Sequence, residues 1–508
     1  MQTTRRNFVR IAAASGVLAS APRRSWPVSP DDLQTKLAAD PLRPQFHLLP
    51  AKNWMNDPNG PLFWKGDYHM FYQYNPNAAV WGDMHWAHAI SEDMIHWRHL
   101  PIALAPTPGW DDADGCFTGS AIDDHGTATI LYTGVKSVAA ERATLRDGHN
   151  NFREVQCLAT STDPQLRTWT KWKQPVIQPP NDSTLAGFRD PFLWRQDDHW
   201  ILGVASGHFK KGGCVLLYRS QDLRSWEYLH ELAAGKWTEK ELTNPVDSGE
   251  MWECPDFFPL GKKHVLLYST AGSVIWESGE LDPKRLKFHS ERRGILDHGA
   301  YYAQKTQLDA HGNRVLWGWI PEKRPDSELI GAGWAGCLAL PRVLSLSPDG
   351  ELEMTVAPEV QSLRGDAFTA ARQNLYTGDR ADSLPSVKIG DLRAELVWKV
   401  SSTEALMSLQ DDNSPPLWSA TIGKVDSSRI LNVNRSRIEI PTPANSVLEF
   451  HLFLDASVAE LIVDHRHAIT SRIYARSYGP LRLKFGGIDL TSLHMWHLKP
   501  ISTDRLTT

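Results

Sequence analysis

Asp57-Pro58-Asn59-Gly60-Pro61-Leu62-Phe63-Trp64-Lys65-Gly66-Asp67-Tyr68-His69-Met70-Phe71-Tyr72 decides the fold, because the chain repeats its pattern. A carboxylate and a proline lead into an aromatic run, a polar turn and a second apolar run. Asp190-Pro191 leads likewise into Phe192-Leu193-Trp194, the turn Gln196-Asp197-Asp198 and Trp200-Ile201-Leu202. Glu253-Cys254-Pro255 leads into Phe257-Phe258-Pro259-Leu260, the turn Gly261-Lys262-Lys263 and Val265-Leu266-Leu267-Tyr268. Aromatic and β-branched runs around tight polar turns read as β-hairpins.

A second element follows each hairpin. Ser91-Glu92-Asp93 precedes Trp97, Ser161-Thr162-Asp163 precedes Trp169, and Ser220-Gln221-Asp222 precedes Trp226. Glu280-Leu281-Asp282 before Phe288 is a weaker fourth copy. Short Ser and Asp side chains hydrogen-bond turn backbone, and the aromatic anchors the returning strand. Each unit therefore holds about four strands. Counting Asp57, Phe117, Asp190, Glu253 and Asp297 as successive starts, the reading is a five-bladed β-propeller over residues 40–345. Residues 346–368, with Ser345, Pro348, Asp349 and Gly350 around them, read as a linker. Short alternating strands such as Leu448–Leu454 then predict a C-terminal β-sandwich over 369–500, so the fold class is all-β.

Composition narrows the function. The chain has 508 residues, 41% hydrophobic and 22% charged, with a net charge of -5. That balance gives no reason to expect nucleic acid as a partner. Its 21 tryptophans exceed ordinary usage; most serve packing, but indole also offers a flat face and an N–H to a sugar. At the N-terminus, Arg5-Arg6 precede an apolar run from Ile11 to Ala21 that ends in small residues. This order predicts a twin-arginine-like signal over residues 1–25 and export to the periplasm or beyond, with no membrane contact in the mature form. The five widely spaced cysteines contain no CxxC pair and read as buried thiols. His85 and His88 fall on opposite strand faces, so the local histidine cluster predicts no metal site, and nothing in the chain calls for a cofactor.

Asp57, Asp190 and Glu253 hold the same place in the repeat frame. In a propeller, the inner ends of the blades converge on one funnel, so the three acids are expected to meet there. Like charges in such a site are costly, and that cost is expected where chemistry needs it. Glycoside hydrolysis needs one carboxylate to attack and one carboxyl to protonate the leaving oxygen. Asn56 and Asn59 suit Asp57 to the first role. The apolar sequence neighbours Trp252, Cys254, Pro255 and Phe257 suit Glu253 to the second.

The chain resembles glycoside hydrolase family 32, the invertases, inulinases, levanases and related fructan enzymes. The matching stretches include Trp54-Met55-Asn56-Asp57-Pro58-Asn59-Gly60, Phe71-Tyr72-Gln73-Tyr74-Asn75-Pro76, Trp81-Gly82 and Phe117-Thr118-Gly119-Ser120. They continue through Phe188-Arg189-Asp190-Pro191, Met251-Trp252-Glu253-Cys254-Pro255-Asp256, Asp297-His298-Gly299-Ala300-Tyr301-Tyr302-Ala303 and Leu454-Asp455-Ala456-Ser457-Val458-Ala459-Glu460. The resemblance implies a retaining β-fructofuranosidase acting on sucrose or inulin- or levan-type fructans. It makes Asp57 the nucleophile, Glu253 the acid/base and Asp190 the transition-state stabiliser. It implies that Asn56, Gln73, Trp81, Phe117, Thr118, Arg189 and Asp297 line the substrate site, without a metal. Thr118 stands where the family usually has Ser. Ala300 stands where some plant sucrose-cleaving relatives carry a basic residue, which weakens any claim that sucrose is the preferred substrate. A fructosyltransferase and a non-catalytic fructan-binding protein are the alternatives on the same scaffold. Oligomeric state is not legible.

Overall fold

Asn53–Trp64 pairs antiparallel with Asp67–Asn75 around the two-residue turn Lys65-Gly66, as the opening stretch predicts. Both turn residues have positive φ, 52° and 101°, and Gly66 adopts that conformation without a Cβ penalty. The computed structural model describes residues 30–505, apart from 149, 371–385, 390, 402–403, 412–414, 426–427, 442–445, 476–480 and 487–489. The expected signal over 1–25 lies outside the described residues.

Five antiparallel sheets follow one another along the chain. Their inner strands are Asn53–Trp64, Gly115–Asp124, Leu185–Gln196, Glu253–Leu260 and Tyr302–Leu308. Each inner strand packs against the next, and the fifth returns to the first, so the sheets form a ring of five blades. The ring is sealed by the pair Trp334–Ala335, which leaves blade 5 and runs parallel to Asn53-Trp54 of blade 1.

The Ser-x-Asp elements behave as polar turn chemistry requires. Asp93, Asp163 and Asp222 each accept backbone N–H groups of the turn that follows them. In the weak fourth copy Asp282 accepts the Lys284 and Arg285 N–H groups, the same two offsets as at Asp93 and Asp222. Trp169 and Trp226 donate their indole N–H to the carbonyls of Leu166 and Leu223.

Two expectations change. The first half of the segment read as a linker belongs to the outer hairpin of blade 5, Arg342–Leu346 and Leu352–Val356. Ser347, Pro348, Asp349 and Gly350 form its turn, with the Ser347 hydroxyl held by Asp349 and the Gly350 φ at 83°. Only the short 3-10 turn Pro358–Leu363 separates it from the first sandwich strand, Arg364–Ala370. The inner strand of blade 5 also begins at Tyr302 and not at Asp297.

The sandwich has two six-stranded antiparallel sheets packed around Trp398, Trp418, Phe450 and Phe485. Asp455 and Glu460 of one sheet reach into the propeller. Asp455 accepts the backbone N–H groups of Gln45, Phe46 and His47 and the His47 ring N–H at 2.7 Å. Glu460 takes the other His47 nitrogen at 2.8 Å and Arg342 at 2.6 Å. With an acid on each nitrogen, the His47 ring acts as a double donor, the imidazolium form. Asp297 belongs to this seam. It accepts Arg342, the Thr470 N–H and the Thr470 hydroxyl, and pairs with Ala468.

Burial alone would lower the His47 pKa, but Asp455 and Glu460 outweigh it and raise it to about 9. Burial would raise that of Glu460, but Arg342 and His47 pull it down to about 2. A raised histidine stabilises the fold below its unfolded value and stops doing so as pH rises through 9. A depressed glutamate stabilises above its unfolded value and stops doing so as pH falls through 2. The seam is therefore strongest between about pH 4.5 and 6.5, the ordinary values of the two groups. His47→Gln is expected to lower unfolding free energy by about 3 kcal/mol at pH 6, as for any broken buried ion pair. It should also flatten the decline between pH 7 and 9, read by urea unfolding across pH.

Candidate active site

Every inner strand carries a one-residue bulge in its pairing to the second strand of its blade. Pairing skips after Asn59, Phe117, Arg189, Glu253 and Tyr302 in turn. The residue that follows has positive φ in four of the five: Gly60, Asp190, Cys254 and Ala303. A bulge leaves that residue's N–H outside the ladder. Three of these groups find side-chain acceptors instead: Asp190 N–H donates to the Thr133 hydroxyl, Cys254 N–H to Asp190 Oδ2, and Ala303 N–H to the Ser269 hydroxyl.

This frame corrects the expected alignment of the three acids. Glu253 is equivalent to Arg189, one position before Asp190, and Asp57 lies two positions before its blade's equivalent, Asn59. They come from three different levels of the repeat. The structure nonetheless brings them together. The Cys254 thiol lies 3.5 Å from Asp57 Oδ2 and 3.5 Å from Asp190 Oδ2. Arg189, next to Asp190, donates from Nε and one terminal nitrogen to Glu253 Oε1, at 3.2 and 2.9 Å. All three acids are buried.

The donors around them are mostly neutral. Thr118 Oγ1 donates to Asp57 Oδ2 at 2.6 Å, so the departure from serine keeps the hydroxyl in use. Asn56 donates to Asp57 Oδ1 and is itself oriented by the Trp54 indole N–H. Burial, with Asp190 and Asp57 nearby, pushes the Cys254 thiol well above its usual range, so it stays a neutral S–H. The Tyr302 hydroxyl donates to Glu253 Oε2 at 2.9 Å and is likewise held protonated by burial and by Glu253. The groups at the Glu253 carboxyl are thus polar ones. Trp252 instead stacks on Tyr268, and Phe257 packs against Trp194.

The Arg189 guanidinium is the cation that touches this group. Burial would lower its pKa, but Glu154, Glu253 and Asp190 raise it above the ordinary value. Its second terminal nitrogen donates to Glu154 Oε1 at 2.7 Å. Glu154 comes from the third strand of blade 2, Asn151–Ser161, and is fully buried.

Of the remaining expected residues, Gln73 donates to the Cys116 carbonyl and ties blade 1 to blade 2. Trp81 meets Phe117 edge-on at 6.1 Å. Gln73 Oε1 and Trp81 Nε1 are buried without a hydrogen-bond partner among the described residues. Asp297 is not part of this group. Its carboxylate is consumed in the seam with the sandwich, and the Ala300 N–H donates there to the Thr470 carbonyl. Tyr302, Cys254 and Glu154 were not singled out for roles from sequence. Tyr302 lies within the family-like stretch Asp297–Ala303, whereas Glu154 has no local signal in the sequence.

All five cysteines are buried thiols. His88 is buried against His69, with ring nitrogens 2.8 Å apart. Among the described residues, His208, Cys214 and Glu231 of blade 3 bring three metal-type donor atoms within 4.8 Å of one another. His208 there already faces Asp182 and Glu231 as ion partners.

Residues 47–357 match the family model for the N-terminal domain of glycosyl hydrolases family 32. A sucrose-6-phosphate hydrolase of Escherichia coli is 36% identical over 465 residues, which cover 85% of this chain and 89% of that protein. A Bombyx mori β-fructofuranosidase structure superposes with TM-score 0.74 at 30% identity, covering 92% of this chain and 96% of that one. The fructan 1-exohydrolase IIa of Cichorium intybus superposes with TM-score 0.77 at 25% identity, covering 91% and 98%. Mutants of these two have been solved with sucrose and with 1-kestose.

Replacing Arg189 by Met keeps length and removes the charge. Glu154 and Glu253 would then be left buried without their shared cation. The expected result is a loss of about 3 kcal/mol in urea unfolding at neutral pH, shrinking as acid protonates the two carboxylates.

Proposed function

Because the chain belongs to glycoside hydrolase family 32 and is a β-fructofuranoside hydrolase, we propose that it cleaves terminal fructose from sucrose or short fructans with retention of configuration. The observation that carries this reading is the trio Asp57, Asp190 and Glu253, drawn from blades 1, 3 and 4 and linked through Cys254 and Arg189.

Asp57 attacks the anomeric carbon of the fructosyl unit. Glu253 gives its proton to the departing oxygen, so the glycosidic bond breaks as the bond to Asp57 forms. Glu253, now a carboxylate, takes a proton from water, and the hydroxide displaces Asp57. Two inversions at one carbon give net retention. Thr118 and Asn56 fix the direction of the Asp57 carboxylate, so the attacking oxygen keeps one geometry. Asp190 holds sugar hydroxyls. Gln73 Oε1 and Trp81 Nε1 supply an unused acceptor and donor suited to further hydroxyls. Asp297 does not contribute, since its carboxylate is taken up in the seam. The paired arginines of the N-terminus support export by the twin-arginine route.

Asp57→Ala and Glu253→Ala should each lower fructose release from sucrose by at least about 1000-fold, the scale expected for loss of a covalent nucleophile or a general acid. Wild-type rates from either variant, with its fold intact by circular dichroism, would refute the role assignments. Proton NMR of the first product should show β-fructofuranose before mutarotation. Initial rates on sucrose, inulin and levan, with products resolved, rank the substrates. New oligosaccharides as the main product at high sucrose would favour transfer over hydrolysis.

A further inference from the structure

Arg189 is shared between two acids. One edge of its guanidinium, Nε and a terminal nitrogen, faces Glu253, and the other terminal nitrogen faces Glu154. Glu154 is more than a chance neighbour. Its second oxygen accepts the Phe188 N–H and the Thr144 hydroxyl, both at hydrogen-bond distance, and its side chain is fully buried. The Phe188 contact pins the carboxylate to the strand that carries Arg189, and the Thr144 contact holds it from its own blade.

The arrangement bears on how a general acid survives beside a guanidinium. An unshared Arg⁺ at 2.9 Å would strongly favour the ionised form of Glu253 and leave no proton to donate. We propose that Glu154 is a positioning residue that neutralises Arg189, so that the guanidinium orients Glu253 without depriving it of its proton. This rests on the assignment of Glu253 as the acid/base. The other groups around Glu253 do not replace Glu154. Tyr302 is a neutral donor, with Asp247 near it. Asp57 and Asp190 lie beyond the neutral Cys254 thiol, and Lys305 is tied to the Pro255 carbonyl. Around Glu154, Arg189 is the charged partner and Thr144 and Phe188 supply neutral donors.

The test is the pH dependence of kcat/KM on sucrose, whose alkaline limb reports the acid of the unliganded enzyme. In the wild-type chain the limb should lie above about pH 5, higher than an ordinary glutamic acid. Glu154→Gln should move it down by about one pH unit, the lower end of what a nearby opposite charge does to a carboxyl. The acid limb should stay in place, and Glu154→Asp, which keeps the charge, should restore the alkaline limb. On 4-nitrophenyl β-fructofuranoside, whose leaving group needs little protonation, the Glu154→Gln effect should largely vanish. An unmoved limb in a folded Glu154→Gln variant overturns the proposal. So does a wild-type limb at or below about pH 4.3, which can be read even if the variant fails to fold. Sucrose cleavage that survives Glu253→Ala would instead refute the acid/base assignment itself.

Discussion

A rung is missing at the same level from the ladder of every inner strand, with a second gap in blades 1 and 3, and the site depends on it. A regular strand would alternate its side chains evenly and keep all its N–H groups in the sheet. The bulge breaks both habits at the same level of each blade. It costs backbone strain, on the order of 1 kcal/mol for each non-glycine residue held at positive φ. Asp190, Cys254 and Ala303 carry that strain. The N–H groups it releases are taken by Thr133, Asp190 and Ser269, so the strain is offset by polar contacts, and Asp190 joins blade 3 to blade 4 while doing so. The bulge also changes which residue stands where. Because of it Arg189 and Glu253 are equivalent neighbours and can pair, and Tyr302 of blade 5 falls into the same row.

The protein treats buried charge in two ways. At the seam between propeller and sandwich, full charges face full charges: His47 between Asp455 and Glu460, and Arg342 between Glu460 and Asp297. Such a network holds its members in fixed protonation states, which suits a joint. Around Asp57, Asp190 and Glu253 the donors include a threonine, an amide, a thiol, a phenol and a backbone N–H, beside the Arg189 guanidinium. Neutral donors orient a carboxyl without dictating its charge as strongly as an ion does. Chemistry that moves a proton needs that latitude.

The hairpins were legible because turn chemistry and aromatic patterning are local. The Ser-x-Asp turns were legible for the same reason, down to the weak copy at Asp282. The sequence points to three acids that the fold brings together, but not to their register, because proline is the visible anchor of each repeat and the bulge is not. Asp57-Pro58 resembles Asp190-Pro191 in letters, whereas the pairing equates Gly60-Pro61 with Asp190-Pro191. A bulge one residue long leaves no mark in composition. Asp297 reads as a site residue because it stands in a family-like motif, yet its carboxylate serves the seam.

The sequence by itself determined the class of the fold and the blade count and pointed to three acids, because each is written in contiguous residues. Only the tertiary structure decided which of their neighbours touch them. Tyr302 and Cys254 reach the acids across blade boundaries, through bonds between residues 49 to 197 positions apart, and Glu154 reaches Arg189 from 35 positions away. Contacts of that kind arise from ring closure and strand register, which depend on the packing of the whole chain and not on any local stretch of it.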